Sequence, residues 1–193
     1  MNKQSTFIIE HLEPKLYPWC ITEYKNISKI VGKKNLWFTN LAKMKNKNAL
    51  KNYGKTIDSS VKTLNLQNSC ILDPEASSTL NPQNSKLCEY FIFGGILGDY
   101  PPRKRTKEEL APFLPQAKAY NIGKEQMSTD NAVLVVRDII QGIPISKMQF
   151  QDGINIQKNS IESIQLPYRY RLINKKPFIS RSIVSYLKNK KDF

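Results

Sequence analysis

The segment that most constrains this chain is Tyr90-Phe91-Ile92-Phe93, which runs directly into Gly94-Gly95-Ile96-Leu97-Gly98-Asp99. A continuous apolar strand has no side to offer water, so it belongs inside a sheet covered on both faces. Two shorter runs read the same way: Phe7-Ile8-Ile9, ending at Glu10-His11, and Cys70-Ile71-Leu72, stopped by Asp73-Pro74. Leu36-Trp37-Phe38 is a further strand candidate. Between them lie helical patterns. Over 19–31 the residues Cys20, Tyr24, Ile27 and Val31 recur at helical spacing and Gly32 follows as a stop. The stretch 131–141 is strongly apolar, with Ser128, Thr129 or Asp130 as its N-cap and Gly142 after it. Thr106 and Glu109 fit a capping box opening a short helix, residues 147–150 a last strand, and residues 180–191 a terminal helix with a basic end. Strands alternating with helices predict an α/β fold, a parallel sheet with helices on both faces.

With 193 residues the chain suits one domain. Lys plus Arg number 30 against 16 Asp plus Glu, a net charge of +14, which favours an anionic partner such as nucleic acid or a ribosomal surface. Two stretches concentrate that charge. Residues 43–62 carry six lysines and one acid, Asp58, and read as an exposed helix up to Gly54 followed by a loop. Residues 169–191 carry eight Lys or Arg and no acid. The three cysteines, Cys20, Cys70 and Cys88, are odd in number and widely spaced, so neither a disulfide framework nor a zinc site is expected. His11 is the single histidine. No signal-peptide pattern or membrane-length apolar run occurs, and the expected location is the cytoplasm.

Glycines directly after a buried strand let a backbone approach a ligand, since no Cβ intrudes; on residue type alone a tight turn fits equally well. The run is not GxGxxG, and no Gly-Lys-Ser/Thr follows. Pro101-Pro102-Arg103-Lys104-Arg105-Thr106 is either a solvated basic turn or a stiff loop presenting Arg103 and Arg105 to an anion. The polar loop 120–130 is either a plain helix start or a second backbone wall. Glu10, His11 and Glu13 sit together where the first strand ends, as solvated acids beside a structural histidine or as groups that hold a cation.

Taken together, the glycine run, the Pro-Pro-Arg-Lys-Arg-Thr loop, Ile122-Gly123 leading to Gln126-Met127-Ser128-Thr129-Asp130, the opening Ile9-Glu10-His11-Leu12-Glu13 and the later Leu166-Pro167-Tyr168-Arg169-Tyr170 resemble a branch of the SPOUT methyltransferases. Archaeal members of that branch are described as RNA methylases. The fungal members resemble this chain more closely, and their activity is arginine methylation of a small-subunit ribosomal protein. The resemblance implies a C-terminal trefoil knot, an exception to unknotted topology. It implies S-adenosylmethionine held by Leu72, Asp73, Phe93, Gly94, Gly95, Ile96, Leu97, Gly98, Ile122, Gly123, Gln126, Met127 and Ala132, with no metal. The acids at loop ends near that pocket, Glu10, Glu13, Asp99 and Asp130, are the candidates for gripping and deprotonating a guanidinium, and His11, Arg103, Arg105 and Thr129 for further substrate contacts. An RNA substrate, rRNA or tRNA, is the alternative, in which Arg103 and Arg105 weigh more. Residues 42–65 look like an insertion. The fungal likeness leans towards a monomer over the homodimer common in SPOUT enzymes.

Overall fold

The computed structural model describes residues 5–97 and 103–189. Six parallel strands form the central sheet: β1 (Thr6–His11), β2 (Leu36–Thr39), β3 (Lys55–Thr56), β4 (Ser69–Leu72), β5 (Tyr90–Gly95) and β6 (Lys118–Tyr120). Their order is β3-β2-β1-β5-β4-β6, which sets β1 and β5 side by side at the centre. Alternation along these strands divides the core. Phe7, Ile9, Phe91, Phe93, Cys70 and Leu72 face one layer, and Ile8, Ile92 and Ile71 face the other. The first layer is built by α1 (Pro18–Val31) and α2 (Thr129–Ile140).

The second layer departs from the expectation of helices on both faces. It is closed by short 3-10 and π turns carrying Val61, Leu110 and Leu114, none of them an α-helix. Two causes stand out. The expected capping box at Thr106 does not form, because Glu109 accepts from Arg105 Nε at 2.8 Å instead. Pro112 and Pro115 then deny the segment continuous helical hydrogen bonds.

The lysine-rich stretch is also not an exposed helix. Residues Lys47–Asn52 form a 3-10 turn around the fully buried Leu50, and Lys55–Thr56 adds β3 at the sheet edge. Gly54 is required there, since a Cβ would lie 2.6 Å from Leu36 O. Residues 42–65 are thus stitched into the core, with the lysines on the outside.

Beyond α2 the expected strand at 147–150 is replaced by a 3-10 turn, Ile145–Lys147. An antiparallel sheet follows: β7 (Phe150–Gln157), β8 (Ser163–Ile173) and β9 (Lys176–Pro177). Then α3 (Arg181–Asn189) packs Ile183 and Leu187 onto Ile156, Ile164, Leu166 and Tyr170. Trp19 of α1 joins this second core, so the C-terminal module is docked on the parallel domain beside the start of α1. Among the described residues no helix is long and apolar enough to cross a membrane.

Candidate active site

A cavity of about 630 Å³ opens beyond the carboxyl ends of β4, β5 and β6, where ligands gather in open α/β sheets. Each of three loops supplies a wall. Leu72 and Asp73 follow β4; Phe93 and Gly94 end β5, with Ile96 and Leu97 after them; Ile122, Gly123, Gln126 and Met127 lead to Ala132 on α2. These eleven predicted cofactor residues share one cavity. Gly98 and Asp99 lie outside the described residues.

Gly95 is the exception. It faces away from the cavity, into the core beneath α1, where an added Cβ would overlap the Tyr24 hydroxyl. Of the two glycines expected in the cofactor wall, Gly94 lines the cavity and Gly95 does not. A Cβ on Gly94 would come within 2.9 Å of Ile96 Cδ1 and 3.1 Å of Thr106 Oγ1, both cavity residues.

Of the acids predicted to act on substrate, Glu10, Glu13 and Asp130 are not in the cavity lining, and Asp99 lies outside the described residues. Glu10 is fully buried and its carboxylate accepts from Thr39 Oγ1, Ser60 Oγ and Val61 N. Glu10 is an anchor between β1 and the lysine-rich segment, outside the cavity. His11 is equally buried, its ring held between Tyr24 Oη at 2.8 Å and Lys15 O at 3.2 Å, and burial lowers its pKa. It is not among the residues that line the cavity. Glu13 accepts from Leu97 N at 2.9 Å and from Arg105 Nη1 at 2.7 Å. Arg105 also donates to Leu12 O at 2.9 Å. Glu13 and Arg105 are thus spent on each other and on holding the loop after β5; neither lines the cavity. Asp130 is 1 % exposed and accepts from Asn26 Nδ2 and Ser128 Oγ, both at 2.7 Å. Of the expected substrate contacts, Arg103 and Thr129 do line the cavity.

Sequence reasoning missed the far side. Tyr17, Trp19 and Glu23 from the start of α1, Leu166 and Tyr168 from β8, and Tyr186 and Leu187 from α3 complete the lining. Trp19 and Tyr186 meet edge to face with centroids 6.0 Å apart. The four-residue spacing of Trp19 and Glu23 on one helix face was the available signal.

Glu23 carries the strongest electrostatic distinction. It is 4 % exposed, and burial followed by the charge of Asp130 pushes its pKa up to about 8. Burial raises Asp130 as well. Both acids thus bind protons more tightly folded than unfolded, so stability is greatest below the ordinary carboxylate range. It is lost as pH rises from 4.5 through about 8 for Glu23. Thermal melts across that window are expected to show a falling midpoint, and Glu23→Gln is expected to flatten the fall.

Comparison with known structures places this arrangement. The yeast arginine methyltransferase SFM1 complexed with SAH superimposes with a TM-score of 0.86 at 31% identity, covering 97% of this chain and 96% of that one. The same enzyme complexed with SAM gives 0.86 at 32% identity, over 95% and 90%. The dual-specific Trm10 from Thermococcus kodakaraensis shares the fold at a TM-score of 0.56 and 16% identity, over 74% of this chain and 96% of that one. The cavity walls suit the same ligand: apolar faces for a nucleoside, a glycine where a side chain would intrude, and a volume in the usual range of about 300–1,000 Å³ for small-molecule sites. Fold and cavity define an S-adenosylmethionine-dependent methyltransferase of the SPOUT type. The model of the SFM1-like protein arginine N-methyltransferases matches residues 6–192. Protein arginine N-methyltransferase SFM1 of Saccharomyces cerevisiae is 33% identical, over 94% of this chain and 93% of that one. The chain belongs to the SFM1-like family.

Proposed function

We propose that this chain methylates an arginine side chain of a small-subunit ribosomal protein in the cytoplasm, acting as a monomer whose C-terminal half is tied in a trefoil knot. S-adenosylmethionine bound among the β4, β5 and β6 loops supplies an electrophilic methyl group. Leu72, Phe93, Ile122, Met127 and Ala132 exclude water from it, while Glu13 fixes the backbone at Leu97. Positioning is most of what such a displacement requires of a protein.

The observation that carries the arginine reading is one of the four acids on the wall of this cavity, the buried Glu23, in a chain of +14. Glu75 is paired with Lys104 and Glu125 with Arg169, and Asp73 is engaged by Glu75 N on its own turn; Glu23, on the opposite wall, forms no ion pair among the described residues. A buried acid without a paired cation suits a cationic side chain, which completes the pair on arrival; the lining's own cations are Arg103, Lys104 and Lys124. The wall from β8 and α3, supplied by the same chain, supports a monomer. The lysines of 43–62 and the basic stretch from Arg169 suit docking on rRNA at the ribosomal surface.

The test is incubation with methyl-labelled cofactor and ribosomal subunits. Label is expected in protein, resistant to nuclease, and as methylarginine after hydrolysis. Label that survives protease and is lost with nuclease establishes the RNA alternative instead.

A further inference from the structure

We infer that the annex walled by Trp19, Tyr168 and Tyr186 is a channel for an arginine side chain, and that Glu23 is the group that receives its guanidinium. This rests on the arginine reading above and assigns the part of the site that holds the substrate. The cavity has two chemically different halves. One is the predicted cofactor wall. The other comes from α1, β8 and α3 and contains aromatic rings, Leu166, Leu187 and one acid, Glu23. Trp19 and Glu23, one turn apart on α1, point the same way.

Three observations favour a guanidinium there. Its planar, weakly hydrated cation stacks on aromatic faces and pairs with a carboxylate in plane, and its aliphatic stem suits the apolar remainder. Glu23 is buried, yet it lines the cavity, and its carboxyl is held by backbone N–H groups at the start of α2, those of Thr129 and Asp130, the latter at a long 3.4 Å. Finally, the groups that face it bring no positive charge: Asp130 from α2, Tyr170 from β8, and Cys20 and Tyr24 from its own helix. An empty channel keeps Glu23 protonated at neutral pH; an arriving cation lowers its pKa and completes a buried pair.

The alternative is that Glu23 only caps the start of α2 through Asp130 N. Glu23→Gln separates the two, because the amide oxygen keeps the cap and loses the charge. The probe is agmatine, a guanidinium on a four-carbon stem, titrated calorimetrically into the protein loaded with S-adenosylhomocysteine. Wild type is expected to bind it, more tightly as pH rises through about 8. Glu23→Gln is expected to bind agmatine at least about tenfold more weakly, with the pH dependence gone and S-adenosylhomocysteine affinity kept. Trp19→Leu provides a second variant, expected to weaken agmatine and leave the pH dependence in place. Agmatine affinity unchanged in Glu23→Gln, or no binding to the loaded wild type, overturns the channel. Label found in RNA with agmatine binding still dependent on Glu23 defeats the arginine reading, and leaves Glu23 as a guanidinium-binding group without a substrate role. Methylarginine found with agmatine binding indifferent to Glu23 defeats only the channel.

Discussion

Gly95→Val is expected to yield no folded protein, whereas Gly94→Ala is expected to fold and bind cofactor poorly. The two glycines are consecutive on β5, so they face opposite layers. At Gly95 a Cβ would overlap the Tyr24 hydroxyl and approach Ile9 Cγ2 to 2.9 Å and Glu10 O to 3.0 Å. Tyr24 is 1 % exposed and stacked on Phe38, with its hydroxyl bound to His11, and Glu10 O is backbone in the neighbouring central strand. None of these can yield without moving α1 from the sheet. Ordinary overpacking costs about 1–3 kcal/mol. Branched bulk between two backbones exceeds that, and a domain holds only about 5–15 kcal/mol in all. At Gly94 the nearest atoms are side-chain ends, Ile96 Cδ1 and Thr106 Oγ1, which can shift into the cavity. Circular dichroism and calorimetry with S-adenosylmethionine distinguish the two. A well-folded Gly95→Val chain would refute the packing argument.

Glu10→Ala is expected to lose roughly 1–3 kcal/mol of stability, the range for leaving a buried donor without its acceptor. The Val61 N–H, 2.9 Å from Glu10 Oε2, would lose its acceptor inside the core. The hydroxyls of Thr39 and Ser60 lose theirs too, but each retains another contact, Thr39 to Ile9 O and Ser60 from Lys62 N. The damage should spread beyond β1, because Ser60 and Val61 tie the lysine-rich segment to the sheet. Urea unfolding measures it. If Glu10→Ala kept its stability and lost turnover alone, a catalytic role for Glu10 would be restored.

The contrast between these positions shows what the sequence could convey. Phe7-Ile8-Ile9, Tyr90 to Phe93 and the apolar spacing in α1 and α2 are local signals, and the structure places strands and helices there. The convergence of the β4, β5 and β6 loops was legible through family resemblance, since it depends on strand order. Glu10 was not legible as an anchor, because its partners Ser60 and Val61 stand some fifty positions away and carry no periodic mark. The edge strands β3 and β6 are short and mostly polar, so neither alternates clearly. β8 does carry a local signal: Ile164, Leu166, Tyr168 and Tyr170 recur every second residue, the mark of a half-covered strand. That strand supplies Leu166 and Tyr168 to the aromatic half of the cavity. Glu23 was hidden for a different reason. An acid on a helix is normally solvated, and what buries this one is α2 and the C-terminal module.

That module has a temporal consequence. Leu166, Tyr168, Tyr186 and Leu187 leave the ribosome after every strand of the parallel sheet has been synthesised. A nascent chain can therefore shape its nucleoside-facing loops early, as N-terminal portions fold first during translation. It has no place for a target side chain until α3 emerges. The order of synthesis thus completes the cofactor wall before the wall from β8 and α3.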